Sequence, residues 1–421
     1  MKKTLFTRVT FVLSLLLVPL SALGYRYSYR GGPYVNEPRF DRNYLSTFDV
    51  SVMGGSAKNG YNGSNDKTNV LNIYGVHNIA KLGQGVPGLN PLNALDLNLI
   101  QLAALPSNGN FGKIVFNGKF NYIGATFSFA QNYKYGFFSQ INVPVENITV
   151  NNISFSDQSP TTGVPNITDP IWTQFLANFD ATLNRFGTDK GNFSYTSVGD
   201  IQTYLGWTYN NDNLKSIDFF DTTIKVGFNS PAADRRDRSK AFAIPLGYNG
   251  HGGVSVDFDA AIGFLDWVSL GWHVGGQFFF DDIQPVRMKT NSLQSGYIKL
   301  AQGTAKEKMG NLWDIGTFLK ADHLAGGFSF GIAYTYTSQE DTTLVPEDTV
   351  TFDSVIVNSD EMLKGWRKHV IAINADYDFA KEGRCFNPRI GLFYNRPVGG
   401  KRIFATDIVG GNFGANITWN F

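Results

Sequence analysis

The chain reads as an all-β protein: a transmembrane, antiparallel, up-and-down β-barrel of about 12–14 strands. Three observations predict this. Apolar residues recur at every second position through most of the chain, the period of a strand with two unlike faces. Short and long connections alternate between these stretches, as in a membrane barrel with tight turns at one end and loops at the other. The first residues look like an export signal, and no later segment has the length of an apolar membrane helix. An exported chain that enters a membrane without such a helix has to close a barrel, because lipid offers no partner for a free strand edge.

The opening "MKKTLFTRVTFVLSLLLVPLSALG" has Lys2, Lys3 and Arg8 ahead of a short apolar run, Phe11 to Leu20. It ends in Ala22-Leu23-Gly24, a small-x-small cleavage pattern. Residues 1–24 are read as a signal peptide, 25–44 as a mobile periplasmic segment and 45–421 as the barrel. Charged residues make up 17% of the chain, against about 25% in ordinary soluble proteins. Aromatics reach 14%, and there are 45 glycines, a mix suited to many strands and turns.

The alternation is clearest in the second half. Val254, Val256, Phe258, Ala260 and Ile262 interleave with Ser255, Asp257, Asp259, Ala261 and Gly263. Similar series run through 136–150, 197–210, 216–230, 268–282, 312–322, 325–338, 366–380, 386–397 and 409–421. Earlier strands are expected near 45–53, 69–77 and 116–130, which makes thirteen. Bacterial single-chain barrels have even counts, so one early strand lies outside the wall or one is uncounted. Connections at 132–136, 210–213, 264–266, 321–326 and 381–384 are short. Those at 156–195, 231–249, 283–311 and 339–365 are long and are placed outside. Two stretches carry a helical spacing. One is 88–105, where a strand, a packed loop helix and a plug helix in the lumen all remain open. The other is 169–187, in a long loop.

The last strand, "NFGANITWNF", ends on an aromatic residue. Phe413, Ile417, Trp419 and Phe421 resemble the recognition signal of Gram-negative outer-membrane β-barrel proteins. The resemblance implies insertion by the barrel assembly machinery, contact with outer-membrane lipid, and location in the outer membrane. Within that class, "SVGDIQTYLGW" (197–207) and "DIVGGNFGANITWNF" are similar to the FadL and aromatic-hydrocarbon transporter group over the last half of the chain. FadL-type proteins carry Asn-Pro-Ala near the N-terminus. Here Asn90-Pro91 is followed by Leu92, well inside the chain.

Candidate functional residues are those on the polar side of the strands: Asp200, Asp221, Lys225, Asp257, Asp259, His273, Asp376, Asp378 and Arg389. Facing a lumen, they would select solutes by charge. The pairs Asp257/Asp259 and Asp376/Asp378 each place two carboxylates on one face, too few oxygens for Ca²⁺. No metal or cofactor is expected. "DRRDRSK" (234–240) supplies Arg235, Arg236, Arg238 and Lys240 to an outward loop, where they stay solvated, meet lipid phosphates or fold inward as a constriction. A formal charge of +1 on an exported chain argues against nucleic acid as a partner. The single cysteine, Cys385, permits no intrachain disulfide, and none of the five histidines sits in a catalytic pattern. The expected function is a channel that moves a small solute without chemistry. The alternatives are a FadL-like carrier of hydrophobic solutes and a surface-interaction barrel with a closed lumen.

Overall fold

The computed structural model describes residues 26–32, 45–106, 109–212, 217–264, 267–379 and 385–418. Twelve long antiparallel strands among them form the wall. In chain order these are β1 (Leu45–Ala57), β2 (Lys113–Asn132), β3 (Phe137–Asp157) and β4 (Ile201–Asn211). Next come β5 (Phe219–Ser230), β6 (Gly253–Phe264), β7 (Val268–Phe279) and β8 (Leu312–Ala325). The last four are β9 (Phe328–Gln339), β10 (Arg367–Asp378), β11 (Phe386–Lys401) and β12 (Asp407–Thr418). Each pairs with the next, and β12 returns to β1, with Leu45 opposite Thr418 and Ser56 opposite Asp407. The barrel is therefore closed and leaves no wall edge unpaired.

Thirteen expected strands become twelve because 69–77 is not in the wall. Asn69 caps a single 3-10 turn, Val70–Asn72, that lies inside the barrel. Asn72 then mimics a strand neighbour. Its side-chain amide donates to the Phe116 carbonyl at 2.6 Å and its oxygen accepts from the Phe116 amide at 3.0 Å. The stretch at 88–105 contains the helix Ala94–Ala104, capped by Asn93 and packed on the helix Pro170–Ala177 of the next loop. A second helix, Phe179–Arg185, follows in that loop. Among the described residues no helix is long and apolar enough to cross a membrane.

The turn between β8 and β9 shows how tightly one end is built. Gly326 and Gly327 both have positive φ, and a Cβ on Gly327 would stand 2.3 Å from the Asp378 carbonyl oxygen. Only glycine meets both demands.

The outward face of the wall is apolar. Phe127, Phe129, Ile224, Val226, Phe228, Val256, Phe258, Ile371, Ile373 and Phe413 are all exposed, and a band of this kind is lipid-facing. β2 and β3 are longer than the rest, at 20 and 21 residues, and their polarity inverts part-way along. On β2 the even positions always point inward. Near the turn these are Thr126 and Ser128, with Phe127 and Phe129 outside. Past Tyr122 they become Ile114, Phe116 and Phe120, fully buried, with Asn117, Lys119 and Asn121 outside. The strand leaves the lipid but continues, and its inner face turns apolar because protein fills the lumen there.

Candidate functional site

The filling comes from the loops. Leu71, Ile79, Leu99, Trp172, Phe242 and Tyr297 belong to one apolar core with the inner faces of β2 and β3. Phe242 sits edge-on to Phe116 at 5.0 Å and to Tyr297 at 5.6 Å. Asp200 ties the 231–252 loop to the wall: its carboxylate accepts from the amides of Ala233 at 3.1 Å and Tyr248 at 2.7 Å. His77 is enclosed here too and accepts from the Tyr297 amide at 3.0 Å. Burial, with Lys299 nearby, lowers its pKa to about 3, so the ring is neutral.

Below this core, residues 26–32 pass through the lumen itself. The sequence reading put a mobile periplasmic segment at 25–44. Arg26, Tyr27, Tyr29 and Arg30 are instead buried, and residues 33–44 lie outside the described residues. The physical reason is charge. Arg26 pairs with both Asp257 on β6 and Asp314 on β8, and Arg30 pairs with Glu146 on β3. The backbone is held as well. Lys368 donates to the carbonyls of Tyr27 at 2.7 Å and Arg30 at 2.6 Å. Thr406 donates to the Tyr29 carbonyl at 2.6 Å, and the Phe404 amide to the Ser28 carbonyl at 3.2 Å.

Most of the expected lumen residues face inward. His273 is enclosed between Asp259, 2.6 Å from Nδ1, and Asp314, 2.8 Å from Nε2. Asp257, His273 and Asp314 bring ligand atoms within 4.8 Å of one another, and the guanidinium of Arg26 stands where a cation would. Lys225 lies 5.2 Å over the ring of Tyr204. Arg389 donates to Asp49 from two nitrogens, Nη2 to both carboxylate oxygens at 2.7 and 2.6 Å and Nε to Oδ1 at 3.2 Å. Asp376 is buried and accepts from Asn374 at 3.3 Å. Asp221 and Asp378 fall on the inward parity of β5 and β10 and are half-buried. Of the last-strand signal, Phe413 faces outward and Ile417 is half-buried, while Trp419 and Phe421 lie outside the described residues.

Five charged residues of the site were missed: Arg26, Arg30, Asp314, Glu146 and Lys368. Asp314 and Lys368 sit at inward positions of strands that the alternation does identify. Parity alone would have placed them.

No family model and no curated protein matches this chain. Solved structures do. An outer membrane channel from Pseudomonas putida F1 is similar over 91% of this chain and 100% of its own, with TM-score 0.52 and 8% identity. The barrel fold is shared with that channel. A Pseudomonas aeruginosa FadL homologue overlaps 96% of this chain and 99% of its own at TM-score 0.33 and 11% identity. The Pseudomonas putida toluene transporter TodX overlaps 96% and 100% at TM-score 0.34 and 10% identity. At those lower scores the second and third add nothing to the fold assignment.

The basic loop is the other place where charge gathers. Arg235 pairs with Asp282 at 2.9 Å, and Lys240 with Asp189. Arg236 and Arg238 turn inward to line a cavity of about 260 Å³ between the loops and residues 26–29.

Proposed function

We propose that the protein is a bacterial outer-membrane channel that passes small solutes without chemistry, held closed in this state by residues 26–32. In this reading the short turns face the periplasm and the long loops face outward. A signal peptide over 1–24 would export the chain, and Phe413, Ile417, Trp419 and Phe421 would present it to the assembly machinery. The observation that carries the proposal is Arg26 between Asp257 and Asp314. A lumen lined with charge, obstructed by a segment that is not part of the wall, is a pathway with a removable stopper. A purely structural barrel would fill the same space with wall side chains.

The test is conductance in planar bilayers, with the full mature chain and with residues 26–32 deleted. The full chain should give low or intermittent current and the deletion a steady, larger one. Correctly folded protein that passes neither ions nor small solutes in either form would overturn the proposal.

One observation favours a second reading, a FadL-like carrier that releases hydrophobic solutes sideways through the wall. The ladder beside β3 is interrupted. Asn142 pairs with Gln202 and Val145 with Val198, but Val143-Pro144 faces Gly199-Asp200 across a single bond, from the Gly199 amide to the Pro144 carbonyl at 2.9 Å. Proline cannot donate to the ladder. Toluene uptake by cells carrying the wild type or Pro144→Thr would decide this, since the variant regains a donor. Uptake that does not change would remove the sideways exit.

A further inference from the structure

The cavity of about 260 Å³ has a lining that matches one chemistry. Six cationic side chains and two carboxylates reach it, but most of these charges are already answered. Arg26 belongs to Asp257 and Asp314, Lys240 to Asp189, and Lys299 to Asp360. Arg287 spends its guanidinium on the carbonyls of Phe186, Gly187, Arg238, Lys299 and Leu300, which holds the loops around the cavity in place. Arg236 and Arg238 remain. Arg236 donates to the Ala241 carbonyl at 2.9 Å and Arg238 to the Gln284 side chain at 3.4 Å. Among the described residues neither pairs with a carboxylate.

Two guanidiniums in a partly enclosed space without a paired carboxylate are costly to bury, and burial lowers the basicity of both. Both carboxylates of the lining are engaged elsewhere: Asp360 by Lys299, and Glu307 by Gln284 and by Asn249 at 3.3 Å. Beside polar groups such as Ser28, Thr188, Gln339 and Thr342, the lining carries an aromatic and thioether surface. Tyr74 and Tyr297 meet edge-to-face at 4.9 Å, and Trp366, Met288 and Met362 belong to the same surface. A guanidinium pair asks for a planar oxyanion, and an aromatic and thioether surface asks for a ring.

We infer that this cavity binds a small aromatic carboxylate, its carboxylate on Arg236 and Arg238 and its ring against Tyr74 and Tyr297; the inference rests on the channel reading and names a solute class for it. Size points the same way. Ligand pockets run from roughly 300 to 1,000 Å³, so this one suits a single ring and excludes a long-chain amphiphile. A neutral aromatic would leave both guanidiniums desolvated and unanswered. A bare inorganic anion would leave the ring surface wet.

The test is calorimetry on the full mature chain in detergent micelles, titrated with sodium benzoate and, in parallel, with acetate, inorganic phosphate and benzyl alcohol. Benzoate should saturate one site and bind at least about ten-fold tighter than the other three, the margin expected of one charged hydrogen bond. Arg236→Gln should weaken benzoate about ten-fold and Arg236→Lys should recover part of the loss. Heat-modifiable gel mobility reports whether each variant is folded, and the wild-type comparison of benzoate with benzyl alcohol needs no variant. No saturable benzoate binding, equal binding of benzyl alcohol, acetate or phosphate, or an unchanged Arg236→Gln would each overturn the inference. Conductance measured on the same preparation separates the two ideas. A conducting protein that ignores benzoate sinks only the site, and a benzoate binder that conducts nothing and transports nothing sinks the channel.

Discussion

Arg30 and Glu146 form an ion pair in which neither side chain touches solvent. Arg30 comes from the segment ahead of the first wall strand. Glu146 sits on β3 where the inner face changes from polar to apolar, with Asn142 before it and Ile148 and Val150 after. The Tyr122 hydroxyl donates to Glu146 at 3.2 Å, and the guanidinium lies over the rings of Tyr27 at 4.9 Å and Tyr122 at 4.8 Å. The pair therefore joins the stopper, the wall and the base of the loop core.

Removing one partner should release the stopper. A buried charge left alone costs about 3–5 kcal/mol, whereas replacing both partners by apolar groups is close to neutral. Glu146→Gln is therefore expected to expel Arg30 and expose the 26–32 segment to trypsin in the folded barrel. Arg30→Met with Glu146→Leu should restore protection of the remaining segment. A Glu146→Gln protein in which Arg30 stays resistant to trypsin and the melting temperature is unchanged would show that the pair does not hold the segment.

Arg26 pins the other end of the segment. Its loss removes a positive charge and uncovers Asp257 and Asp314, which pair with it in the lumen. Fixed charges in a narrow pore set selectivity. Arg26→Ala should raise the open-state current and shift the reversal potential in a salt gradient toward cations. Anion selectivity, or an unchanged current and potential, would remove Arg26 from the gate.

The loop core should weaken in acid through His77. Its folded pKa, about 3, lies below the unfolded value of 6.5. As pH falls below 6.5 the unfolded chain takes up a proton that the folded one refuses, so this stabilisation is full above 6.5 and is lost progressively down to about 3. Below that both states are protonated and the loss is complete. Carboxylates titrate over part of the same range, so the comparison is with His77→Asn. The wild type should lose more melting temperature than the variant between pH 7 and pH 4. Parallel curves would assign the acid sensitivity elsewhere.

Much of the wall is legible from alternation, because a strand with lipid outside and water inside has to switch polarity at each residue. Val256 and Phe258 against Asp257 and Ser255 is the pattern at its plainest, and the structure exposes the first pair and buries the second. The loop core was harder to see because it leaves its mark on other strands. On β2 the phase of the apolar series flips near Tyr122 without any change in which side chains point inward, a sign of packed protein in the lumen that a reading of strand existence alone passes over. The expected strand at 69–77 failed for a local reason. Asn69 caps a 3-10 turn and Asn72 bonds the backbone of β2 through its side chain, so an apolar run with strand composition is held beside the wall instead of in it. Arg26 and Arg30 read as part of a mobile periplasmic segment until Asp257, Asp314 and Glu146 are known to face them. Long-range charge pairing has no period to find.

The two faces of one strand give the sharpest test of the membrane assignment. On β5, Lys225 points into the lumen and is almost fully buried, while its neighbour Val226 is 51% exposed on the outer face. A cation is thus native at one position, and an apolar side chain at the next. If the outer face meets lipid, Val226→Arg should cost about 2–4 kcal/mol near the bilayer centre, read as a lower denaturant midpoint for the barrel in lipid vesicles. The same substitution in detergent, where water reaches the side chain more easily, should cost much less. If the outer face were solvated, arginine there would be an ordinary surface residue, with an effect within about 0.5 kcal/mol in vesicles and detergent alike. That outcome would take the barrel out of the membrane.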